Sequence, residues 1–243
     1  MSLLKGKIAV VTGANSGLGR TLAIEFAKRG AIVVINYRKT KGAALVTLKK
    51  VKTFSPKSII FRADVSKENE VNKMFSLIKK KFRRVDILIN NVGNFYFGPF
   101  SKMSANQFRD VMESNLYGTL YCSRAALKFM RRQKSGNIIN IGCAACERVV
   151  LRKNTAVYYH AKNGVYVLTK LMATEEKKRG IRVNIISPGI MENSVVLPKG
   201  FKGKVVRFKK IADAMLKLIS DKSANGRHVQ VLGGWKPKTD ILT

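Results

Sequence analysis

The sequence predicts a doubly wound α/β fold: a parallel seven-stranded sheet with helices on both faces. Three observations predict it. Seven short apolar runs are spread along the 243 residues, helical patterns separate most of them, and a glycine-rich turn follows the first run directly. Strands alternating with helices pair in parallel through right-handed crossovers, and such strands, covered on both sides, read as unbroken apolar runs. Ligands then bind at the carboxyl ends of the strands.

Taken in order, Ile8 to Thr12 is the first strand, and it breaks into Gly13-Ala-Asn-Ser-Gly17-Leu-Gly19. A helix follows in which Leu22, Ala23 and Phe26 face inward, as the 3.6-residue period requires. Ala31 to Ile35 is the second strand, succeeded by a Lys-rich amphipathic stretch to Phe54. Ser58 to Phe61 is the third, ending at Ala63-Asp64-Val65, after which Ser66, with Asn69 and Glu70, is placed to cap a helix carrying Val71, Met74, Phe75 and Ile78. Val85 to Ile89 is the fourth strand and opens into Asn90-Asn91-Val92-Gly93; one long helical region then covers about Ala105 to Arg132. Asn137 to Ile141 is the fifth strand, followed by a loop to about Thr155 and a helix to Lys178. Arg182 to Ile186 is the sixth strand, Lys209 to Ser220 the last helix and His228 to Leu232 the seventh strand, before Gly233-Gly234. No linker, repeat or low-complexity tract divides the chain, so residues 1–243 are expected to form one domain with a short substrate lid near 191–210.

Composition narrows the function classes. With 46% hydrophobic residues and only 5 prolines, the chain can bury a core and is neither disordered nor collagen-like. Three cysteines, an odd number, fit a reducing compartment better than a disulfide scaffold, which points to the cytoplasm. The N-terminal apolar residues are interrupted by Lys and Gly, and no run approaches the length of a membrane span, so no membrane association is expected. The charge is extreme, 47 Lys+Arg against 14 Asp+Glu for a net +33. Such a surface attracts polyanions and makes self-association salt-dependent. The positives are nevertheless scattered over helix ends and loops with no recognition helix, zinc-finger spacing or aromatic-basic RNA motif, so no specific nucleic-acid partner is predicted.

A glycine turn between a strand and a helix lets backbone approach a pyrophosphate, and the helix N-terminus offers free N–H groups and a positive dipole end. The spacing here is Thr-Gly-x-x-x-Gly-x-Gly rather than Gly-x-Gly-x-x-Gly. With Asp64-Val65, Asn90-Asn91-Val92-Gly93, Asn115, Tyr158-x-x-x-Lys162, Ser187-Pro188-Gly189 and Gly233-Gly234, the chain resembles the short-chain dehydrogenase/reductase family over nearly its whole length. The overall pattern is most similar to 3-oxoacyl-acyl-carrier-protein reductases. The resemblance implies a Rossmann fold and a cofactor site formed by Gly13, Asn15, Ser16, Gly17, Leu18 and Gly19 at the diphosphate. Asp64 and Val65 would lie at the adenine, Asn91, Val92 and Gly93 along the adenosine side, and Pro188 and Gly189 beyond the sixth strand. The second strand ends in Asn36-Tyr37-Arg38-Lys39, without the carboxylate that would bind a ribose 2′-hydroxyl and repel a 2′-phosphate. Arg38 and NADP(H) are therefore expected.

Tyr158 and Lys162 stand four apart, on one helix face, where a phenol and an ammonium can act on one site. A free phenol titrates near about pH 10 and needs a cation to work near neutrality. The resemblance implies that Tyr158 exchanges a proton with a carbonyl or alcohol oxygen, Lys162 holds the nicotinamide ribose and lowers the tyrosine pKa, and Asn115 supports a water relay to that lysine. Tyr159 reads as packing and His160 as having no catalytic part. The family places a serine after the fifth strand to hydrogen-bond the substrate oxygen; here the chain reads Ile141-Gly142-Cys143-Ala144, and a thiol is a weaker donor. Cys143-x-x-Cys146 lacks a thioredoxin setting and a second pair of ligands, since His160 and His228 are the only histidines, so no metal site is predicted. Asn193 stands where threonine is common, and only the basic stretch Lys199 to Lys210 is available as a lid. Phenylalanines in Asn94 to Phe100 are candidates either to line the cleft or to pack.

These features predict an NADPH-dependent oxidoreductase that reduces a small-molecule or carrier-bound carbonyl. A pteridine-type reductase and a catalytically weak, NADP-binding sensor or polyanion binder are the alternatives. The resemblance also implies a homodimer or homotetramer built through the two long helices after the fourth and fifth strands.

Overall fold

In the computed structural model, which describes residues 3–148, 153–194, 196–197, 201 and 203–234, the apolar runs become strands. These are β1 (Ile8–Val11), β2 (Ile32–Tyr37), β3 (Ile59–Arg62), β4 (Ile87–Asn90), β5 (Gly136–Ile141), β6 (Ile181–Pro188) and β7 (His228–Val231). All pair in parallel, in the order β3-β2-β1-β4-β5-β6-β7. Between them run α1 (Gly17–Lys28), α2 (Lys41–Lys52), α3 (Glu68–Phe82), α4 (Ala105–Met112), α5 (Gly118–Gln133), α6 (Ala156–Glu176) and α7 (Phe208–Ser220).

The period-2 alternation of each strand sends its side chains to two cores. Ala9 and Val11 of β1, Ile87 and Ile89 of β4 and Ile139 of β5 pack with α1 and α7, including Leu22, Phe26, Ile211 and Met215. Val10, Leu88 and Ile138, the neighbours of those residues, face the other way and meet α3, α5 and α6 through Val71, Met74, Ile78, Cys122, Met130 and Met172. Burial on both faces explains why the strands carry no polar alternation. From β1 the chain winds outward to β3 and then returns to β4 on the other side of β1. The crevice at the carboxyl ends of β1 and β4 is therefore the topological switch point, where open α/β sheets bind ligands.

One local expectation is corrected. Ser66 does not cap α3: the cap position is Lys67, with no side-chain capping bond, and the Ser66 hydroxyl donates to Asp64 instead, at 2.7 Å. Asp64 out-competes the helix end because it lies two residues before Ser66 in a tight turn and accepts from its backbone N–H as well, at 3.0 Å. The region Ala105 to Arg132 is helical throughout, as expected, with a π-helical turn, Glu113–Tyr117, set between α4 and α5. Asn115 lies inside that turn and props it, its Nδ2 donating to Val111 O at 2.9 Å.

Candidate active site

The carboxyl end of β1 is locked to that of β4 before any ligand is considered. Thr12 Oγ1 accepts from the Asn91 backbone N–H at 2.9 Å, and Asn91 Nδ2 donates back to Thr12 O at 2.9 Å. The turn that follows needs its glycines. Gly13 and Gly17 have φ of +61° and +51°, in the left-handed region. A Cβ on Gly19 would come within 2.4 Å of Gly13 O and 2.9 Å of Ala14 Cα, so α1 packs against its own approach loop too closely for any side chain. Arg20 holds the loop from below, its guanidinium donating to Asn15 O at 2.6 Å and to Thr47 of α2. Ser16, at the exposed N-terminal position of α1, makes no capping hydrogen bond, and the first turn of α1 contains no acidic residue. The result is a glycine-lined cradle at the uncapped, positive dipole end of α1, chemistry that fits a dinucleotide pyrophosphate. Leu18, in contrast, turns into the core beneath the loop.

The tip of β2 contributes a residue that the sequence reading passed over. Asn36 is buried, accepts from the Gly13 N–H at 3.2 Å and donates to Ala63 O at 2.9 Å, tying the glycine turn to the end of β3. Its signal was a polar residue inside an apolar run. Arg38, two residues on, is substantially exposed and pairs with Asp64 at 3.6 Å. Burial works against ionising Asp64, but hydrogen bonds from Ser66 and the charges of Arg38 and Lys67 outweigh it and hold its carboxyl below the usual range. Val65 is buried under the π-turn, where Gly118 leaves room for it.

Across the crevice, α6 presents Tyr158 and Lys162 on one face. Lys162 Nζ lies 5.7 Å from the centre of the Tyr158 ring and donates to Ile141 O, the last carbonyl of β5, at 2.7 Å. Burial is the main influence on both groups. It pushes the Tyr158 phenol well above its ordinary value, with the neighbouring sulfurs of Cys143 and Cys146 adding to the effect, and lowers the Lys162 ammonium to about 8. Tyr158 therefore keeps its proton at neutral pH, while Lys162 is charged there and loses that charge as pH rises through about 8. Phe95 packs edge-on against Tyr158, with ring centres 4.9 Å apart, and Phe97 stacks beyond it.

Asn115 closes the floor between these walls. Its Nδ2 also donates to Asn94 O at 2.8 Å, its backbone O accepts from Thr119 Oγ1 at 2.7 Å, and its Oδ1 is buried without a hydrogen-bond partner. Gly93 is required here, because a Cβ would sit 2.2 Å from that Oδ1. Val92 leans on Gly13, whose own Cβ would come 2.9 Å from Val92 Cγ2. Pro188, the last residue of β6, is buried, and Gly189 donates to Val231 O at 2.8 Å, which directs the chain back toward the glycine turn. Asn193 Nδ2 and the Phe208 ring come within 3.5 and 3.7 Å of a Cβ built on Gly17. Asn193 and Phe208 thus lie beside the glycine turn; residues 195, 198–200 and 202 of the stretch expected to form a lid lie outside the described residues.

Cys143 stands in the buried turn after β5, as the sequence expects, and its thiol hydrogen-bonds with that of Cys146. Tyr159 is buried and donates to Ala144 O at 3.3 Å, while His160 is exposed. The fold brings further polar side chains beside Cys143-x-x-Cys146. Pairing of β7 with β6 brings His228 Nε2 to 3.9 Å from Cys146 Sγ and 2.7 Å from Ser187 Oγ, and Glu147 Oε2 lies 3.5 Å from His228 Nδ1.

Comparisons with known proteins agree with this geometry. A family model described as short chain dehydrogenase matches residues 7–200. A 3-oxoacyl-(acyl-carrier-protein) reductase of Staphylococcus epidermidis is 32% identical over 241 residues, covering 94% of this chain and 98% of its own. A 3beta-hydroxysteroid dehydrogenase 1 of Eggerthella lenta is 36% identical over 193 residues, covering 79% of this chain and 73% of its own. Among solved structures, a short chain dehydrogenase from Bacillus anthracis superposes with a TM-score of 0.84 at 34% identity, over 94% of this chain and 95% of that one.

Proposed function

The chain belongs to the short-chain dehydrogenase family and is an NAD(P)-dependent oxidoreductase, and from that premise we propose that it uses NADPH to reduce a carbonyl to an alcohol. The observation that carries the proposal is the stacking of Lys162 under Tyr158 at the carboxyl end of β5, across the crevice from the glycine cradle. When bound, the nicotinamide supplies the hydride. The chain's own residues do the rest. Tyr158, protonated at neutrality, gives its phenolic proton to the substrate oxygen, and the Lys162 ammonium stabilises the phenolate left behind. Ile141 O fixes that ammonium. Asn115 holds the floor in place, with its free Oδ1 as a station for a relayed proton. Cys143, in the place of the usual serine, is the donor nearest the substrate oxygen in sequence terms, and its bond with Cys146 weakens that donation.

NADPH is favoured over NADH because β2 ends without a carboxylate at its tip and offers Arg38, held only by an exposed pair with Asp64. The diphosphate would rest on Gly13 to Gly19, the adenine beside Asp64 and the adenosine side along Asn91 to Gly93. Resemblance to the Staphylococcus epidermidis reductase supports a 3-oxoacyl, carrier-bound substrate, and the basic surface suits an acidic carrier. A second reading has a specific observation behind it. The half-exposed Phe95 and Phe97, one of them packed on Tyr158, form an aromatic wall that suits a flat substrate such as a pterin. The exposed Val167 and Leu171 on α6 support pairing of two chains through that helix; one undivided domain per chain and a cytoplasmic setting are further parts of the proposal. Among the described residues no helix is long and apolar enough to cross a membrane.

The test is a spectrophotometric screen of 3-oxoacyl thioester, quinone, pterin and sugar carbonyls with NADPH and NADH in parallel. Turnover of a 3-oxoacyl thioester with NADPH supports the first reading, and turnover of pterins alone supports the second. NADPH binding without turnover of any carbonyl would leave the chain a sensor.

A further inference from the structure

Behind the cleft, on the face of the sheet covered by α6, three side chains with metal-binding chemistry converge. Cys146, Glu147 and His228 each present a ligand atom within 4.8 Å of the other two. We propose that they hold a divalent cation of the zinc class, bound by the Cys146 thiolate, one ring nitrogen of His228 and a carboxylate oxygen of Glu147.

The donor set is mixed sulfur, nitrogen and oxygen, which zinc accepts and hard cations such as magnesium do not. Donors around a tetrahedral zinc, bonded at about 2.0–2.3 Å, lie roughly 3.3–3.8 Å from one another. With one ring nitrogen of His228 as the donor, the three ligand atoms lie within 4.8 Å of one another, so the side chains must draw together by up to about 1 Å to close on the ion. Glu147 Oε1 is taken by Gln230 Nε2 at 3.0 Å and Arg148 at 3.8 Å, whereas the buried Oε2 makes no hydrogen bond among the described residues and faces His228 Nδ1 at 3.5 Å. A buried carboxylate oxygen and a ring nitrogen that face each other without a hydrogen bond are groups a cation would satisfy.

The surroundings fix the donors. His228 and Gln230 are two apart on β7 and so share a side of the sheet, with Glu147 between them. The Tyr166 ring packs against the imidazole at 5.5 Å, and Ser187 Oγ lies within hydrogen-bond reach of both His228 Nε2 and Cys146 Sγ. Such outer contacts orient metal ligands. Cys143, whose thiol touches that of Cys146, or a water would complete the coordination. On binding, the Cys146 thiolate gives a lone pair to a sulfur–metal bond in place of a water on the ion; nothing is oxidised or reduced.

The test uses tag-free, full-length protein, stripped with a chelator under thiol reductant and titrated separately with zinc and cobalt(II). We expect about one equivalent of zinc retained after desalting, and a cobalt complex with intense thiolate charge-transfer absorption. Cys146→Ser should abolish that absorption, and Glu147→Gln, which preserves shape, should weaken zinc affinity at least about tenfold with an unchanged circular dichroism spectrum. Retention of under a tenth of an equivalent would overturn the proposal. So would cobalt binding without thiolate bands, or affinity unchanged in both variants.

Discussion

Replacing Asn115 with alanine should destabilise the protein by about 2 kcal/mol, a figure that follows from the hydrogen bonds it removes. The Nδ2 group donates to Asn94 O and to Val111 O, at 2.8 and 2.9 Å. Asn94 O would be left without that donor, at a cost of about 1–3 kcal/mol for a buried polar group. Val111 O keeps the weaker bond from Ser114 Oγ at 3.3 Å, so its loss is at the small end, roughly 0.5 kcal/mol. Removing the partnerless Oδ1 works in the opposite direction and offsets part of this. For a chain of 243 residues, about 2 kcal/mol corresponds to a fall in Tm of roughly 4–8 °C. Asn115→Asp sharpens the test. It keeps the shape but turns a donor into an acceptor facing two carbonyl oxygens, so it should be less stable than the alanine variant. Thermal and urea unfolding of the three proteins measures the order. An aspartate variant as stable as the parent would refute the assignment of Asn115 as the prop of the π-turn.

Three further outcomes follow from the crevice. Gly19→Ala should raise the Kd for NADPH by at least about 100-fold in a fluorescence titration, because its Cβ would meet Gly13 O at 2.4 Å and displace the cradle; binding within about threefold of the parent would contradict this. Arg38→Ala should raise the KM for NADPH about tenfold or more and leave that for NADH nearly unchanged, since only the former carries the 2′-phosphate; equal effects on both would show that Arg38 does not read it. The Lys162 ammonium has its pKa lowered to about 8 by burial, so the charged form is lost as pH rises. The kcat/KM for carbonyl reduction should accordingly fall above about pH 8, and in Lys162→Arg, which stays charged, that limb should disappear; a profile flat to about pH 10 would contradict the assignment.

What could be read from the chain and what could not divides along sequence separation. The seven strands were legible because a parallel sheet is buried on both sides, leaving runs such as Ile87-Leu88-Ile89 with no polar member. Val71, Met74, Phe75 and Ile78 likewise announce the inner face of α3 by their spacing, and all four are buried. Tyr158 and Lys162 were legible because a helix alone brings residues four apart together. The π-turn was not, since its cause is the contact of Asn115 with Asn94 and Val111, invisible to a pattern that looks helical throughout. Ser66 has cap chemistry, but competition from Asp64 decided its partner. The meeting of Cys146 with His228, 82 residues later, depends on which strand lies beside β6, and no local signal carries that information.

The central claim is that Tyr158 supplies the proton in carbonyl reduction, and single-turnover oxidation of bound NADPH tests it most directly. With a carbonyl substrate that the parent enzyme turns over, Tyr158→Phe should slow the decay of the nicotinamide absorbance by at least about 100-fold while NADPH affinity stays within a few-fold of the parent. A phenylalanine variant that oxidises NADPH at the parent rate would contradict it.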